Sequence, residues 1–82
     1  MAPIDRKWQL TAAGLLKSEM AKRNLGYRDL EARLRTLGVE DNEKNLSTKI
    51  SRGRFTAAFF LQAMQAMGAR VIRLDDGGAD AP

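Results

Sequence analysis

Four glycines divide this chain into pieces of helical length. Gly26, Gly38, Gly53 and Gly68 each follow a stretch whose apolar residues recur at spacings of three and four. Such spacing places them on one face of a helix. A glycine just beyond the last periodic residue is a common stop signal, because it takes the left-handed conformation that ends a helix without strain. The pattern predicts four helices joined by short turns. Eighty-two residues leave room for a single domain with a modest core.

The first helix is expected from about residue 6 to residue 23, with Trp8, Ala12, Leu15, Leu16 and Met20 as its apolar stripe. Trp8 reads as a core or core-edge anchor. Lys22 and Arg23 complement the C-terminal dipole, and Asn24 and Gly26 break the helix. The second is expected over residues 27–37, with Leu30, Leu34 and Leu37 at i, i+4 and i+7. The third is expected over residues 42–52, capped by Asp41 or Asn42 and carrying Leu46 and Ile50 on one face. The fourth is expected over residues 56–67, with Thr56 as N-cap. Phe60, Leu61, Met64 and Met67 mark one of its faces, and Phe59, Ala63 and Ala66 mark another. A helix apolar on two faces is central to the core or shared with a partner. Leu30, Leu34, Leu46, Ile50, Phe60 and Leu61 are expected to meet in one core.

Residues 69–74, Ala-Arg-Val-Ile-Arg-Leu, form a β-branched run of strand length. A lone strand leaves its backbone unpaired, and the chain offers no second strand. The obvious partner is the same strand in another copy. A homodimer is therefore expected, with Phe59, Ala63, Ala66, Val71 and Ile72 at its interface. Residues 1–5 read as a frayed end. Residues 75–82, with three aspartates, two glycines and no base, read as a disordered acidic tail beyond a single helical domain of residues 1–74.

The chain has no cysteine and no histidine, so disulfides and thiolate or imidazole metal sites are excluded. The commonest general base and the strongest nucleophile are missing as well. No enzyme activity, cofactor, metal or small-molecule substrate is expected. The acidic segment at residues 40–43 lacks the spacing and glycine of a calcium loop and reads as a turn with a helix cap. Gly77-Gly78 has no strand before it and no helix after it, unlike a phosphate-binding loop. No apolar run approaches the roughly 20 residues of a membrane span, and no signal-peptide core follows the first residues. A soluble, cytoplasmic protein is expected.

The net charge is +4, unevenly spread. Setting aside the three tail aspartates, residues 1–74 carry 14 bases against seven acids, a balance of +7. That balance suits a polyanionic partner. The third helix sharpens the expectation. Asn45, Thr48 and Lys49 offer amide, hydroxyl and ammonium groups of the kind that read base edges. Arg28, Lys44, Arg52 and Arg54 are candidates for phosphate contact. Arg28, Arg33 and Arg35 lie away from the leucine stripe of the second helix, as phosphate clamps or as a solvated face.

The order of these segments resembles the lambda-repressor-like helix-turn-helix class. The residues that carry the likeness are Gly26-Tyr27-Arg28-Asp29-Leu30, Leu37-Gly38-Val39, Arg52-Gly53-Arg54-Phe55 and Met67-Gly68. Closer still is the likeness to a small bacterial family of uncharacterised domains, over about residues 8 to 68. Its pattern is similar to Trp8, Leu16-Lys17, Gly26-Tyr27, Asn45-Leu46, Lys49 through Phe55 and Phe59 through Gln62. The resemblance implies an all-α, four-helix, helix-turn-helix-like domain, here with a short C-terminal β-strand. Two features depart from the helix-turn-helix class. Leu34 stands where a small residue usually precedes the turn glycine by four, and Glu40, Asp41 and Glu43 set carboxylates at the start of the reading helix. Two functions remain open. One is double-stranded DNA binding by a small transcriptional regulator or antitoxin-like repressor. The other is a protein-protein interaction module, or RNA binder, on the same scaffold.

Overall fold

The computed structural model describes residues 3–74 and contains four helices in this span: α1 (Pro3–Lys22), α2 (Tyr27–Thr36), α3 (Glu43–Arg52) and α4 (Ala57–Met67). Each stops in the same way. Asn24, Gly38, Gly53 and Gly68 adopt positive φ. The following amide then reaches back five residues: Leu25 to the Met20 carbonyl at 2.9 Å, Val39 to Leu34 at 3.0 Å, Arg54 to Lys49 at 3.0 Å and Ala69 to Met64 at 2.9 Å. This geometry is the Schellman motif, which satisfies carbonyls the helix leaves orphaned. At the other ends, the Asn42 side chain accepts from the Asn45 amide at 2.8 Å and the Thr56 hydroxyl accepts from the Phe59 amide at 3.0 Å. Asp29 takes the Gly26 amide at 2.8 Å. The expected frayed residues 3–5 instead open α1, where proline fits because its missing N–H would have no helical partner.

The helices α1 and α2 each pack on both α3 and α4. The core is fully apolar. Leu16 comes from α1, Leu30 and Leu34 from α2, and Leu46 and Ile50 from α3, all wholly buried. Phe59, Ala63, Met64 and Met67 enter from α4. No polar or charged residue is buried among the described residues.

Several expectations are corrected. Residues 69–73 form no strand, and the described residues contain none. The segment instead lies along α1. Arg70 and Val71 border a hollow with Glu19, Lys22 and Arg23, and Ile72 and Leu74 border another with Trp8, Ala12 and Leu15. Val71, Ile72 and Leu74 stay exposed, and a lone segment with no ladder to join forms no strand. Phe59 and Ala63, expected at a dimer interface, are buried in the chain's own core. The core takes the Phe59 side of α4, so Phe60 is half-buried and Leu61 is 58% exposed. Leu37 is exposed because it is the C-cap, where the chain turns out of α2. Trp8 is 57% exposed. It flanks an open apolar groove with Phe55, Phe60 and Ile72 rather than entering the core. The expected disordered tail, residues 75–82, lies outside the described residues.

Candidate nucleic-acid interface

The sides of α3 are fixed by Leu46 and Ile50, which turn inward. With 3.6 residues per turn, Lys44, Asn45, Thr48, Ser51 and Arg52 fall on the opposite side, and all five are exposed. That outward surface carries two cations, an amide and two hydroxyls, and no carboxylate. The Thr48 hydroxyl donates to the Lys44 carbonyl at 3.1 Å, which leaves its oxygen lone pairs facing solvent. Ser51 was not among the expected contact residues. Its spacing of seven from Lys44 and three from Thr48 is the signal that places it there.

The carboxylates ahead of α3 are mostly engaged within the protein. Asp41 pairs with Lys49 at 2.7 Å and accepts the Asn42 amide at 2.9 Å. Burial pushes the Asp41 carboxyl up, but hydrogen bonds from Lys49 and Asn42 and the Lys49 charge hold it below the usual range. Glu43 lies 3.6 Å from Arg28, an exposed pair that links α3 to α2. Glu31 adds a contact the sequence did not signal. Its carboxylate accepts the Glu43 amide at 3.0 Å and pairs with Arg35 at 2.9 Å. A carboxylate on a first-turn amide complements the helix dipole. Glu40 is exposed and has no ion pair among the described residues.

Lys49 does not join Asn45 and Thr48 on the outward surface. Its ammonium is tied to Asp41 and stands 4.4 Å from the centroid of the Phe59 ring. It links the turn before α3 to α4. Of the expected phosphate contacts, Lys44, Arg52 and Arg54 are exposed without an ion pair among the described residues, whereas Arg28 is shared with Glu43.

The C-terminal end of α3 is clasped by α1. Arg6 donates to the Arg52 carbonyl, placing a cation at the negative end of the helix dipole. Gly53 is buried against the backbone of Gln9. Beyond it, Phe55 packs on Phe59 and Phe60 with ring centroids 5.6 and 6.2 Å apart. Phe55 and Phe60 wall one side of an apolar groove of about 320 Å³, closed by Trp8, Ala12, Ile72 and Leu74. A separate hollow gathers Lys22, Arg23, Arg70 and Arg73 around Glu19. The hydrogen bond from Arg23 holds the Glu19 carboxyl below the usual range against the opposing effect of burial, and Lys22 lowers it further.

These features define a small all-helical domain in which one short helix presents a polar, cationic surface and an apolar groove opens beside its end. No helix among the described residues is long and apolar enough to cross a membrane. The chain belongs to the family described as Domain of unknown function (DUF6471), whose model matches residues 8–72. No curated protein and no solved structure matches it.

Proposed function

We propose that this protein binds double-stranded DNA as a small cytoplasmic transcriptional regulator, of the kind that includes antitoxin-like repressors. In this reading α2 crosses the phosphate backbone and α3 enters the major groove in helix-turn-helix fashion. The carrying observation is the carboxylate-free outward side of α3. Asn45, Thr48 and Ser51 would meet base edges, and Lys44, Arg52 and Arg54 would meet phosphates. The acids at 41 and 43 no longer weigh heavily against groove entry, because Lys49 and Arg28 offset them. Residues 37–42 make a link longer than the three or four residues usual between such helices. The angle between α2 and α3 then rests on Leu30, Leu34 and Leu46 in the core and on the contacts of Arg28 and Glu31 with Glu43.

An electrophoretic shift with random duplex at two salt concentrations tests the reading. Binding should weaken steeply with salt, at a log–log slope of roughly −0.9 per phosphate neutralised. Arg52→Ala with Arg54→Ala should weaken binding to every sequence and flatten that slope by about two contacts. No shift at low salt with any duplex rejects DNA binding.

A protein-interaction module is the second reading, favoured by the exposure of Trp8 and the groove beside it. A homodimer would use the same apolar surface, with Trp8, Ile72 and Leu74 rather than a shared strand. Light scattering of the full chain and of Trp8→Ser distinguishes a dimer from a monomer.

A further inference from the structure

The segment after α4 carries cations that the DNA reading leaves unused. Ile72 and Leu74 border the apolar groove, while Arg70, Val71 and Arg73 border a second hollow, of about 570 Å³, at the C-terminal end of α1. Glu19, Lys22 and Arg23 form the α1 side of that hollow. Four cations thus surround one carboxylate, a balance of +3. The hollow shares no residue with the outward surface of α3. Ten residues of α1, about 15 Å, separate Glu19 from Gln9, where the end of α3 meets α1.

The carboxylate lies beneath its cations. The Glu19 side chain is 13% exposed, against 28% for Arg23 and 53% for Lys22. Glu19 therefore orients more than it repels. Arg23 gives a single nitrogen, Nη1, to both the Glu19 carboxylate and the Glu19 carbonyl, the latter at 3.2 Å. Its Nε and Nη2 groups have no acceptor among the described residues. Arg70 is exposed, and its guanidinium has no ion pair or acceptor among them either. The backbone amides of Arg70 and Val71 likewise donate to nothing among the described residues. Just before them, the Ala69 amide is tied to the Met64 carbonyl, which fixes where the segment leaves α4. Two helices end here, and their dipoles disfavour an anion. Each counts as about half a charge and fades within a turn, well short of the cationic balance.

The donor set suits phosphate better than carboxylate. A carboxylate has two oxygens, which one guanidinium fork satisfies. A phosphate group offers three oxygens and close to two charges, enough to join two guanidiniums. We propose that this hollow binds a phosphate group, held between Arg23 and Arg70 with Lys22 and Arg73 adding charge. The site stands independently of α3. Either a nucleic-acid backbone or a small phosphorylated ligand supplies such a group.

Inorganic phosphate, titrated into the full chain at constant ionic strength and followed by amide NMR, is the first probe. The amides of residues 68–73 should shift and saturate. Acetate at the same ionic strength should bind at least about tenfold more weakly. Arg70→Gln should weaken phosphate binding about tenfold or more, the worth of one charge-assisted contact. Lys17→Gln, which removes an exposed cation that does not border the hollow, should leave it as it was. Both side chains are exposed, so both variants should melt with the parent. Random duplex then identifies the source. Backbone phosphate predicts that Arg70→Gln weakens duplex binding and flattens its salt slope by about one contact. Duplex binding unchanged by Arg70→Gln, beside intact phosphate binding, assigns the hollow to a small phosphorylated ligand. Phosphate binding with no duplex bound makes the same assignment and rejects the DNA reading alone. Shifts at residues 68–73 that never saturate, that acetate reproduces, or that survive Arg70→Gln overturn the site.

Discussion

A Cβ added to Gly53 would stand 2.1 Å from the backbone oxygen of Gln9 and 2.6 Å from its carbonyl carbon. Both neighbours are backbone, so no side chain can swing aside. Gly53 also sits at φ +66°, a conformation that L side chains adopt at a cost of about 1–2 kcal/mol. Gly53 is therefore where α1 and the end of α3 meet too closely for any side chain to fit between them.

Gly53→Ala should unfold the protein or lower its melting midpoint by more than 15 °C, since the overlap adds to the conformational cost. Gly38 provides the control. It has a similar positive φ and open space around it. Gly38→Ala should lose only about 1–2 kcal/mol, or roughly 4–16 °C for a domain this small. Thermal melts followed by circular dichroism check both. Equal losses would mean that the α1–α3 approach is looser than described.

Ile50 is wholly buried in a core contributed by all four helices. Ile50→Ala should cost about 2–5 kcal/mol, enough to unfold much of the population of a small domain. Thr48, two residues earlier and outward, should tolerate alanine within about 0.5 kcal/mol. Urea unfolding of the two variants compares the inward and outward sides of α3 directly.

Lys49 should behave as a structural residue. Lys49→Ala removes the Asp41 pair and the approach to the Phe59 ring. The expected loss is about 1–2 kcal/mol of stability, since each contact is partly exposed. Base preference in a duplex selection should stay as it was, while Asn45→Ala should relax it by about 1–3 kcal/mol at one position. An unchanged melt with altered base preference would return Lys49 to the reading surface.

Acid should destabilise the fold in a narrow window. The Arg23 hydrogen bond, foremost, holds Glu19 below its ordinary range. Burial raises Asp41, but its bonds to Lys49 and Asn42 prevail and leave it lowered. Both carboxyls bind protons less readily in the folded state, so the unfolded chain takes up protons first as pH falls. Their contribution is complete above about pH 4.5 and is lost below it, as pH passes through the depressed values. With no histidine, no side chain ordinarily titrates between about pH 5 and 8. The melting midpoint should be level there and fall below about pH 4. Glu19→Gln with Asp41→Asn should give a lower plateau and a shallower fall.

The sequence by itself determined the local structure. Helix number, the Thr56 cap, the stops at Gly38, Gly53 and Gly68, and the inward faces marked by Leu30, Leu34, Leu46 and Ile50 were legible in spacings of four or five residues, whereas the choice of Asn42 over Asp41 as the cap of α3 was not. Such local features rest on side-chain size and backbone freedom, which a sequence states directly. The outward side of α3 was legible for the same reason, because helical periodicity places Lys44, Asn45, Thr48 and Arg52 once Leu46 and Ile50 are known to be core.

What only the tertiary structure decided depends on partners far along the chain. Helix α4 is apolar on two sides, and periodicity alone does not choose between Phe59 and Leu61. Trp8 belongs to an apolar stripe yet borders an open groove rather than the core. The segment 69–74 has strand composition, but a strand needs a ladder, and the flank of α1 was the surface available. Lys49 looked like a reading residue until Asp41 and Phe59 arrived from either side, and the carboxylates at 41 and 43 looked repulsive until Lys49 and Arg28 met them. Charge and apolar area are properties of a residue, whereas pairing and burial are properties of a place.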